Sequence, residues 1–391
     1  MEEPVPSAAD AEDAPAHPPE HRRRRAAWIV TTGIVLIALV CGGVQLWANL
    51  AYDAAEQGFL AARDDAEPTT QTLRVAVDRA AEVRGSVAML SGLSSPELID
   101  DADRTVLQTE SGALGAALTD TSDLLVDAPP LPEPKSIWPW AMFADGAALT
   151  TRTTGLRTLA ADQESAARTV DDLVEEVVAT GSSIADGAAD AVPAIEAANI
   201  DARLDPILAL RDAGASVRRN SSAFNVRTAD TLQELDEAVA QVKASAAEEL
   251  AKKSGPLGDS RRDAEAFARS LTPGILLEFI WEPIVNGYGS DGSMGGVTTW
   301  WWDEPYRASI ELSDSVAERW PSDASRSLIA HEAGHAITQK CAGLTYTSPQ
   351  EDFESWATAW AIGMGYADEA NGVWAYGYPA QSYIDAAAGC R

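Results

Sequence analysis

Two histidines and a glutamate near residue 330 are the side chains of this protein best suited to chemistry. The segment 331–335 has the sequence HEAGH, which matches the pattern H-E-x-x-H. Residues four apart lie on one face of a helix, so His331 and His335 can bind the same zinc ion. Glu332 lies one step round that helix, where it can accept a proton from a water molecule that the zinc activates. The chain has only four histidines, and the other two precede position 22, so a chance match is uncommon.

A catalytic zinc site needs a third protein ligand and leaves its fourth position open. The pattern H-E-x-x-H-x-x-G-x-x-H is excluded, because Thr338 and Cys341 occupy its glycine and histidine positions. We therefore expect a carboxylate from a second helix downstream. The start of that predicted helix carries three acidic residues: Glu351, Asp352 and Glu354. They cannot all be ligands, and one or two of them are expected only to balance the positive end of the helix.

The two histidines together with a helical glutamate downstream resemble the gluzincin group of zinc metallopeptidases, especially its small bacterial members. In that group the third ligand begins a pattern of the type E-x-x-A-D, and residues 354–358 have the sequence ESWAT. Thr358 thus stands where the group has an aspartate that commonly orients a zinc-bound histidine. The segment at Glu351 is similar to an E-x-F form found in other members. The resemblance implies Glu354 as the third ligand, with Glu351 as the competing choice.

The implied activity is hydrolysis of peptide bonds in a peptide or protein substrate. Zn²⁺ would be held by His331, His335 and Glu354, and Glu332 would be the general base. A further residue usually stabilises the negative oxygen that forms during such a reaction. Four tyrosines are candidates for that role: Tyr366, Tyr376, Tyr378 and Tyr383.

Two other functions remain open. The chain could be a helical scaffold or sensor at the cell surface that binds zinc without turnover, which the loss of the expected aspartate at Thr358 favours. Glu332 argues against this alternative, because a purely structural zinc site needs no base. Hydrolysis of cell-wall amide bonds is the third possibility.

The region around the motif is predicted to be a small α+β domain at 262–391, similar to the zincin fold. Apolar and polar residues alternate over Ala308–Ser313, as in a half-buried strand. The resemblance implies that this is an edge strand lying along the substrate. Thr298–Trp302 is a candidate second strand, and Ser322 or Ser325 is expected to cap the motif helix. Cys341 and Cys390 are expected to form a disulfide if this region lies outside the cell.

Residues 51–255 are predicted to form an all-α stalk or bundle with coiled-coil-like packing. One helix is expected to break at residues 91–96, and prolines between 129 and 134 form a stiff linker. A heptad repeat over 148–182 has one core position at Leu156, Gln163, Val170 and Val177, and the other at Leu159, Ala166 and Leu173. A helix break is expected near Gly181–Pro193. Such helices could also support a homo-oligomer.

An uncharged apolar segment at 27–50 is long enough to span a bilayer as a helix. Four arginines at 22–25 precede it, so the positive-inside rule places the N-terminus in the cytoplasm and residues after 50 outside. A cleaved signal peptide is the alternative, but its apolar region would be shorter. Residues 1–26 are predicted to be a disordered cytoplasmic tail. The formal net charge of −31 argues against a nucleic-acid partner.

Overall fold

The computed structural model describes residues 20–301, 304, 306–341 and 352–391. The protein is mostly helical, with one small three-stranded sheet, which agrees with the α+β class expected from the sequence. The described residues form two compact units. One contains the residues up to Asp78 and Ala116–Asp171, and the other contains Arg79–Gly115 and Asp172–Arg391. The candidate ligand Glu351 and the predicted strand residue Trp302 lie outside the described residues.

Three long helices account for the N-terminal half of the chain. They are α1 (Glu20–Leu90), α2 (Asp101–Thr121) and α3 (Pro139–Ala198). A short 3-10 turn, Ser122–Leu124, follows α2. Helix α1 begins inside the predicted tail, and it ends at Leu90, where the sequence predicts a break. Between Trp28 and Leu50 most of its side chains are exposed and apolar, so this part of α1 could cross a membrane by length and composition.

Helix α3 is longer than the sequence predicts. The break predicted near Gly181–Pro193 is wrong, because α3 continues through Pro193 to Ala198. The buried stripe also continues there, with Ile184, Ala188 and Ile195.

The heptad repeat predicted on α3 is correct at one core position only. Leu156, Gln163, Val170 and Val177 are buried as expected. The second buried line contains Ala167 and Val174. The predicted positions Ala166 and Leu173 are only half-buried.

The described residues of the C-terminal half contain the sheet and eight further helices. The helices are α4 (Leu204–Asn220), α5 (Val226–Lys252), α6 (Gly258–Leu271), α7 (Asp314–Glu318), α8 (Asp323–Ile337), α9 (Asp352–Gly363), α10 (Val373–Tyr376) and α11 (Gln381–Ala387). The strands are β1 (Leu276–Glu282), β2 (Gly296–Trp300) and β3 (Arg307–Ser313). Two 3-10 turns, Thr338–Cys341 and Glu369–Asn371, flank α9.

The order of the strands is β1-β3-β2, with β1 parallel and β2 antiparallel to β3. The alternating segment Ala308–Ser313 is therefore the central strand, and its prediction as an edge strand is wrong. Both sides of its backbone are already paired, so it cannot accept a substrate strand. The strands β1 and β2 are the two edges, and side chains of β2 contact α8.

Buried charges tie the sheet region to the helices that precede it. The ammonium of Lys253 lies 3.1 Å from the Glu265 carboxylate and 3.3 Å from that of Asp201. Glu265 also accepts hydrogen bonds from Arg269 and from the Trp281 indole. The compact unit thus extends across residues 255–262, where the sequence predicts a domain boundary.

Candidate metal centre

Helix α8, which carries the HEAGH motif, is capped at its N-terminus and buried along most of its length. The side chain of Ser322 accepts a hydrogen bond from the Ser325 backbone N–H at 3.2 Å, so Ser322 is the cap. Ile329 and Ala336, on one side of α8, pack against buried side chains of the sheet. Ala330, Ala333 and Ile337 face the tryptophans of α9. This packing holds the motif rigidly between two layers.

A glycine allows the second helix to approach the motif helix closely. A Cβ atom on Gly334 would lie 2.9 Å from Cα of Ala357. Because both residues are small, the backbones of α8 and α9 nearly touch at this crossing. Trp356 and Trp360, both fully buried, pack beside it. The crossing brings Glu354, one turn before Ala357, opposite the two histidines.

Three potential ligand atoms lie almost equally far from one another. The Oε2 atom of Glu354 is 3.0 Å from Nε2 of His331 and 3.2 Å from Nε2 of His335. The two Nε2 atoms are 3.2 Å apart. Ligands around a tetrahedral zinc ion, each about 2.0–2.1 Å from the metal, are about 3.3 Å from one another. The donor set and its spacing therefore fit a zinc ion with one open position.

The protonation of His331 also favours a cation at the centre of this triangle. Its Nδ1 lies 2.9 Å from the Asn371 backbone oxygen, which can only accept a hydrogen bond. Nδ1 is therefore the donor, and a neutral imidazole then turns its Nε2 lone pair toward the Glu354 carboxylate. Two electron pairs facing each other repel unless a proton or a metal ion lies between them.

The contact between Glu354 and the two histidines also shifts the pKa values of His331 and Glu354. Burial would lower the pKa of His331, but the hydrogen bond to Glu354 and the charges of Glu332 and Glu354 outweigh it, and the pKa is raised. Burial would raise the pKa of Glu354, but its hydrogen bonds to His331 and His335 hold it well below its usual range. The carboxylate is thus ionised and the site attracts positive charge.

A backbone carbonyl, that of Asn371, is the acceptor nearest to Nδ1 of His331, and Thr358, which stands where the resembled group has an aspartate, is farther away. The Oγ1 of Thr358 lies 3.4 Å from Nδ1 of His331, whereas the Asn371 oxygen is at 2.9 Å. The Asn371 side chain donates to the Tyr366 carbonyl and accepts from the Val373 N–H, which fixes the loop. This residue was missed in the sequence, where a backbone acceptor leaves no side-chain signal.

The loop next to Asn371 needs a glycine. Gly372 has a φ angle of 102°, which glycine adopts readily and other residues rarely do. A Cβ atom there would lie 2.9 Å from the His331 ring. Gly372 therefore permits the carbonyl of Asn371 to reach the imidazole.

The ring of His335 is held mainly by aromatic packing. The Trp300 ring stacks on it with the centroids 5.5 Å apart and the planes 14° from parallel. Phe353 contacts the other part of Trp300 edge-on. Within the described residues, Nδ1 of His335 is buried without a hydrogen-bond partner. Trp300 thus helps to fix the orientation of a ring whose contacts to Glu354 and His331 are made through Nε2 alone.

Glu332 lies beside the triangle and contacts the edge strand. Its Oε2 accepts a hydrogen bond of 2.8 Å from the Thr298 hydroxyl, and its side chain is 4% exposed. A Cβ atom on Gly296 would lie 2.5 Å from Oε1 of Glu332. The absence of that side chain leaves room for the carboxylate, with Oε1 not engaged by Thr298.

Of the four candidate tyrosines, Tyr376 contacts the triangle. Its ring stacks on His331 at a centroid distance of 6.0 Å, and its hydroxyl lies near the Glu354 carboxylate. Burial and the charge of Glu354 raise the pKa of Tyr376 to about 12. The other three are elsewhere: Tyr366 packs on Phe267, Tyr383 packs on Trp356, and Tyr378 is largely exposed.

A disulfide between Cys341 and Cys390 closes the segment that contains α9. It ties the end of the motif helix to the C-terminus of the chain. The expected disulfide is therefore present, and Cys41 in the apolar part of α1 is a free thiol.

Comparisons with protein-family models, with curated proteins and with solved structures found no match for this chain. The assignment of the site therefore rests on its geometry. Among the described residues, His331, His335 and Glu354 form a group that could hold a metal ion. Glu332 and Tyr376 adjoin it.

Proposed function

We propose that this protein is a membrane-anchored zinc metallopeptidase that hydrolyses peptide bonds outside the cell. The observation that carries the proposal is the triangle of His331, His335 and Glu354, with atoms 3.0–3.2 Å apart and a buried glutamate beside it. Zinc bound there would supply a Lewis acid that activates water and polarises a carbonyl group. In this proposal α1 is the anchor, residues 51–255 are the helical stalk, and 262–391 are the zincin-like part.

Glu332 is suited to the role of general base. Thr298 engages one oxygen of its carboxylate, which leaves Oε1 to accept a proton and later deliver it to the leaving amine. Keeping a carboxylate 4% exposed costs free energy, and its hydrogen-bond donor among the described residues is a neutral hydroxyl. A site that only bound zinc would gain nothing from that cost.

The edge strand β2 is suited to bind an extended peptide. Gly296 and Thr298, which contact Glu332, belong to this strand, and its only described neighbour in the sheet is β3. A substrate could add to its free side by backbone hydrogen bonds and run past the triangle. This assignment replaces β3, which the sequence suggested for that role.

Tyr376 is the candidate for stabilising the negative oxygen of the reaction. A pKa of about 12 keeps its hydroxyl protonated at neutral pH, so it remains a donor. The ring lies against His331 and the hydroxyl near Glu354, so the donor adjoins the triangle.

The alternative is a zinc-binding scaffold or sensor without turnover. A metal-binding histidine usually donates its second ring N–H to an acceptor. Within the described part of the chain, Nδ1 of His335 has no such partner, and Thr358 stands where the resembled group has an aspartate. Both observations favour the scaffold. The carbonyl of Asn371 supplies that acceptor for His331. Glu332 and Tyr376, which are not among the three candidate ligands, favour the peptidase.

The test uses the full chain in detergent, with bound zinc and cleavage of a broad peptide library measured together. The peptidase predicts one zinc per chain and a loss of cleavage on the order of 10²–10⁴-fold in Glu332→Gln with zinc retained. Glu311→Gln, on the central strand β3, is the matched control and should cleave normally. Absence of stoichiometric zinc would overturn the proposal. Zinc without cleavage, in wild type and Glu332→Gln alike, would establish the scaffold instead.

A further inference from the structure

Three large apolar side chains lie exposed at the turn that leads into α3. The exposed fractions are 77% for Ile137, 54% for Trp138 and 67% for Trp140. The two indole rings stack on each other with centroids 4.9 Å apart. Between Lys135 and Asp145 the chain has no charged residue. A bare apolar turn is unusual on a protein whose formal net charge is −31.

The linker before this turn runs down the side of α1 toward the apolar segment. The ammonium of Lys135 lies 2.5 Å from the Asp53 carboxylate and 3.3 Å from the Asn49 carbonyl oxygen. Two residues later, the carbonyl of Ile137 accepts a hydrogen bond from the Gln45 side chain at 3.2 Å. Gln45 is eight residues before Asp53 on α1, which corresponds to about 12 Å of helix. Ile137 is thus level with the uncharged, exposed part of α1.

Helix α3 then leads away from the apolar segment, opposite in direction to the linker and parallel to α1. The ring of Phe143 packs on that of Trp47, with the centroids 4.9 Å apart. A Cβ atom on Gly146 would lie 3.7 Å from Cα of Tyr52. Contacts therefore climb α1 from residue 45 to 47 to 52 as the chain proceeds from 137 to 146. The turn at 136–140 is therefore the point at which the linker and α3 come closest to the apolar segment.

We propose that the turn 136–140 inserts into the outer interface of the membrane as a second lipid contact beside α1. This inference rests on the proposed anchoring of α1 in a bilayer. Tryptophan favours the headgroup level, where its ring is partly buried and its N–H stays hydrated, and Trp47 of α1 lies at that same level. Lys135 and Asp145 flank the turn, and each lies toward the aqueous side. The α1–α3 pair is thereby held at two points, which restricts its tilt.

The linker offers a matched control for depth. The carbonyl of Pro129 accepts from Arg63 and that of Glu133 accepts from Tyr52, so Leu131 lies between those two levels of α1. Its side chain is 62% exposed, similar to the turn residues. The level of Tyr52 is seven residues beyond that of Gln45, so Leu131 is at least about 10 Å of helix farther from the apolar segment than Ile137. It should therefore remain in water.

The experiment labels single cysteines with an environment-sensitive fluorophore in the full chain, with Cys41→Ser as background and the disulfide left oxidised. Ile137→Cys, Leu131→Cys and Ile34→Cys are reconstituted in phosphatidylcholine vesicles at low protein density. The expected result is blue-shifted emission at 137 that a shallow spin-labelled lipid quenches and aqueous iodide does not. The label at 131 shows the reverse, and the label at 34 is reached only by lipid-borne quenchers.

The outcomes separate the inference from the anchor. If the label at 34 is lipid-accessible and the label at 137 is quenched by iodide like the one at 131, α1 is anchored and the inference is overturned. If the label at 34 is itself in water, the anchor and the inference fail together. If the signal at 137 is lost on further dilution with lipid, the turn contacts a second copy of the chain, which also overturns the inference.

Discussion

The backbone carbonyl of Asn371 accepts a hydrogen bond from Nδ1 of His331 at a distance of 2.9 Å. This single contact sets the tautomer of His331 and directs its Nε2 toward Glu354. It also places the orienting acceptor on a loop after α9, whereas the resemblance put it on α9 itself, at Thr358. The strength of the proposed zinc site should therefore depend on that loop.

Asn371→Ala is expected to weaken zinc binding by about 10–100-fold, as loss of an outer-shell contact to a ligand typically does. The backbone carbonyl remains, but its position depends on the two hydrogen bonds of the Asn371 side chain, to Tyr366 and Val373. Competition with a chelator of known affinity measures the change. Thr358→Val is the comparison and should bind zinc nearly as wild type, because its hydroxyl is 3.4 Å from the imidazole. The opposite ranking of the two variants would refute the assignment of Asn371.

The side chains of the site were predictable from the sequence to the extent that local spacing determines them. His331 and His335 share a helical face, and a returning helix is the simplest way to supply Glu354. The contact with Asn371 was not predictable, because a backbone oxygen is chemically the same at every residue. Trp300 was not assigned either, because its stacking on His335 depends on which strand forms the edge of the sheet.

The errors in the fold have similar physical origins. Alternation along Ala308–Ser313 predicts a strand correctly, but it does not say whether the neighbours of that strand lie on one side or both. Gly181 and Pro193 suggested a helix break, yet the buried stripe of α3 continues past them, so tertiary packing overrides local preference. Whether Glu354 or Glu351 completes a zinc site remains a prediction, with Glu354 favoured by its position opposite the histidines.

Gly296→Ala should lower kcat strongly while leaving zinc content unchanged. The new Cβ atom would be 2.5 Å from Oε1 of Glu332, so the carboxylate must move, and a displacement near 1 Å can cost on the order of 10²-fold in rate. The three ligand side chains are not touched. Parallel measurements of kcat and of zinc per chain test this separation. Val297→Ala is the control, because the next residue of a strand faces away from Glu332. A variant at Gly296 with normal kcat would show that Glu332 does not act in the reaction.

Asp236→Asn should lower the free energy of unfolding at neutral pH, and the loss should be smaller at acidic pH. The Asp236 carboxylate accepts hydrogen bonds of 2.9 and 2.8 Å from the N–H groups of Ser94 and Ser95, and one from the Ser94 hydroxyl. Burial would raise the pKa of Asp236, but these bonds outweigh it and the pKa is lowered. The unfolded state therefore binds the proton more readily. The stabilisation is fully present above the unfolded value, near pH 3.9, and is lost as the pH falls through the folded value.

The measurement for Asp236 is the denaturant midpoint of wild type and variant between pH 7 and pH 3. We expect a difference of about 1–3 kcal/mol at pH 7 that narrows below pH 4. Glu237→Gln, at the exposed neighbouring position on α5, should be neutral throughout. A difference that stays constant down to pH 3 would mean that the charge of Asp236 is not the stabilising feature.

Tyr376→Phe should reduce kcat by as much as about 10²–10³-fold, the usual cost of removing one donor to a developing oxyanion. The phenylalanine keeps the ring against His331 and removes only the hydroxyl. KM and zinc content should therefore change little. Because the pKa of Tyr376 is raised to about 12, its ionisation should not limit the proposed peptidase activity of the wild type below pH 10. Tyr378→Phe, two residues away and 68% exposed, is the matched control. If both variants keep the wild-type kcat, the oxyanion is stabilised by another group, and the contact of Tyr376 with Glu354 only orients that carboxylate.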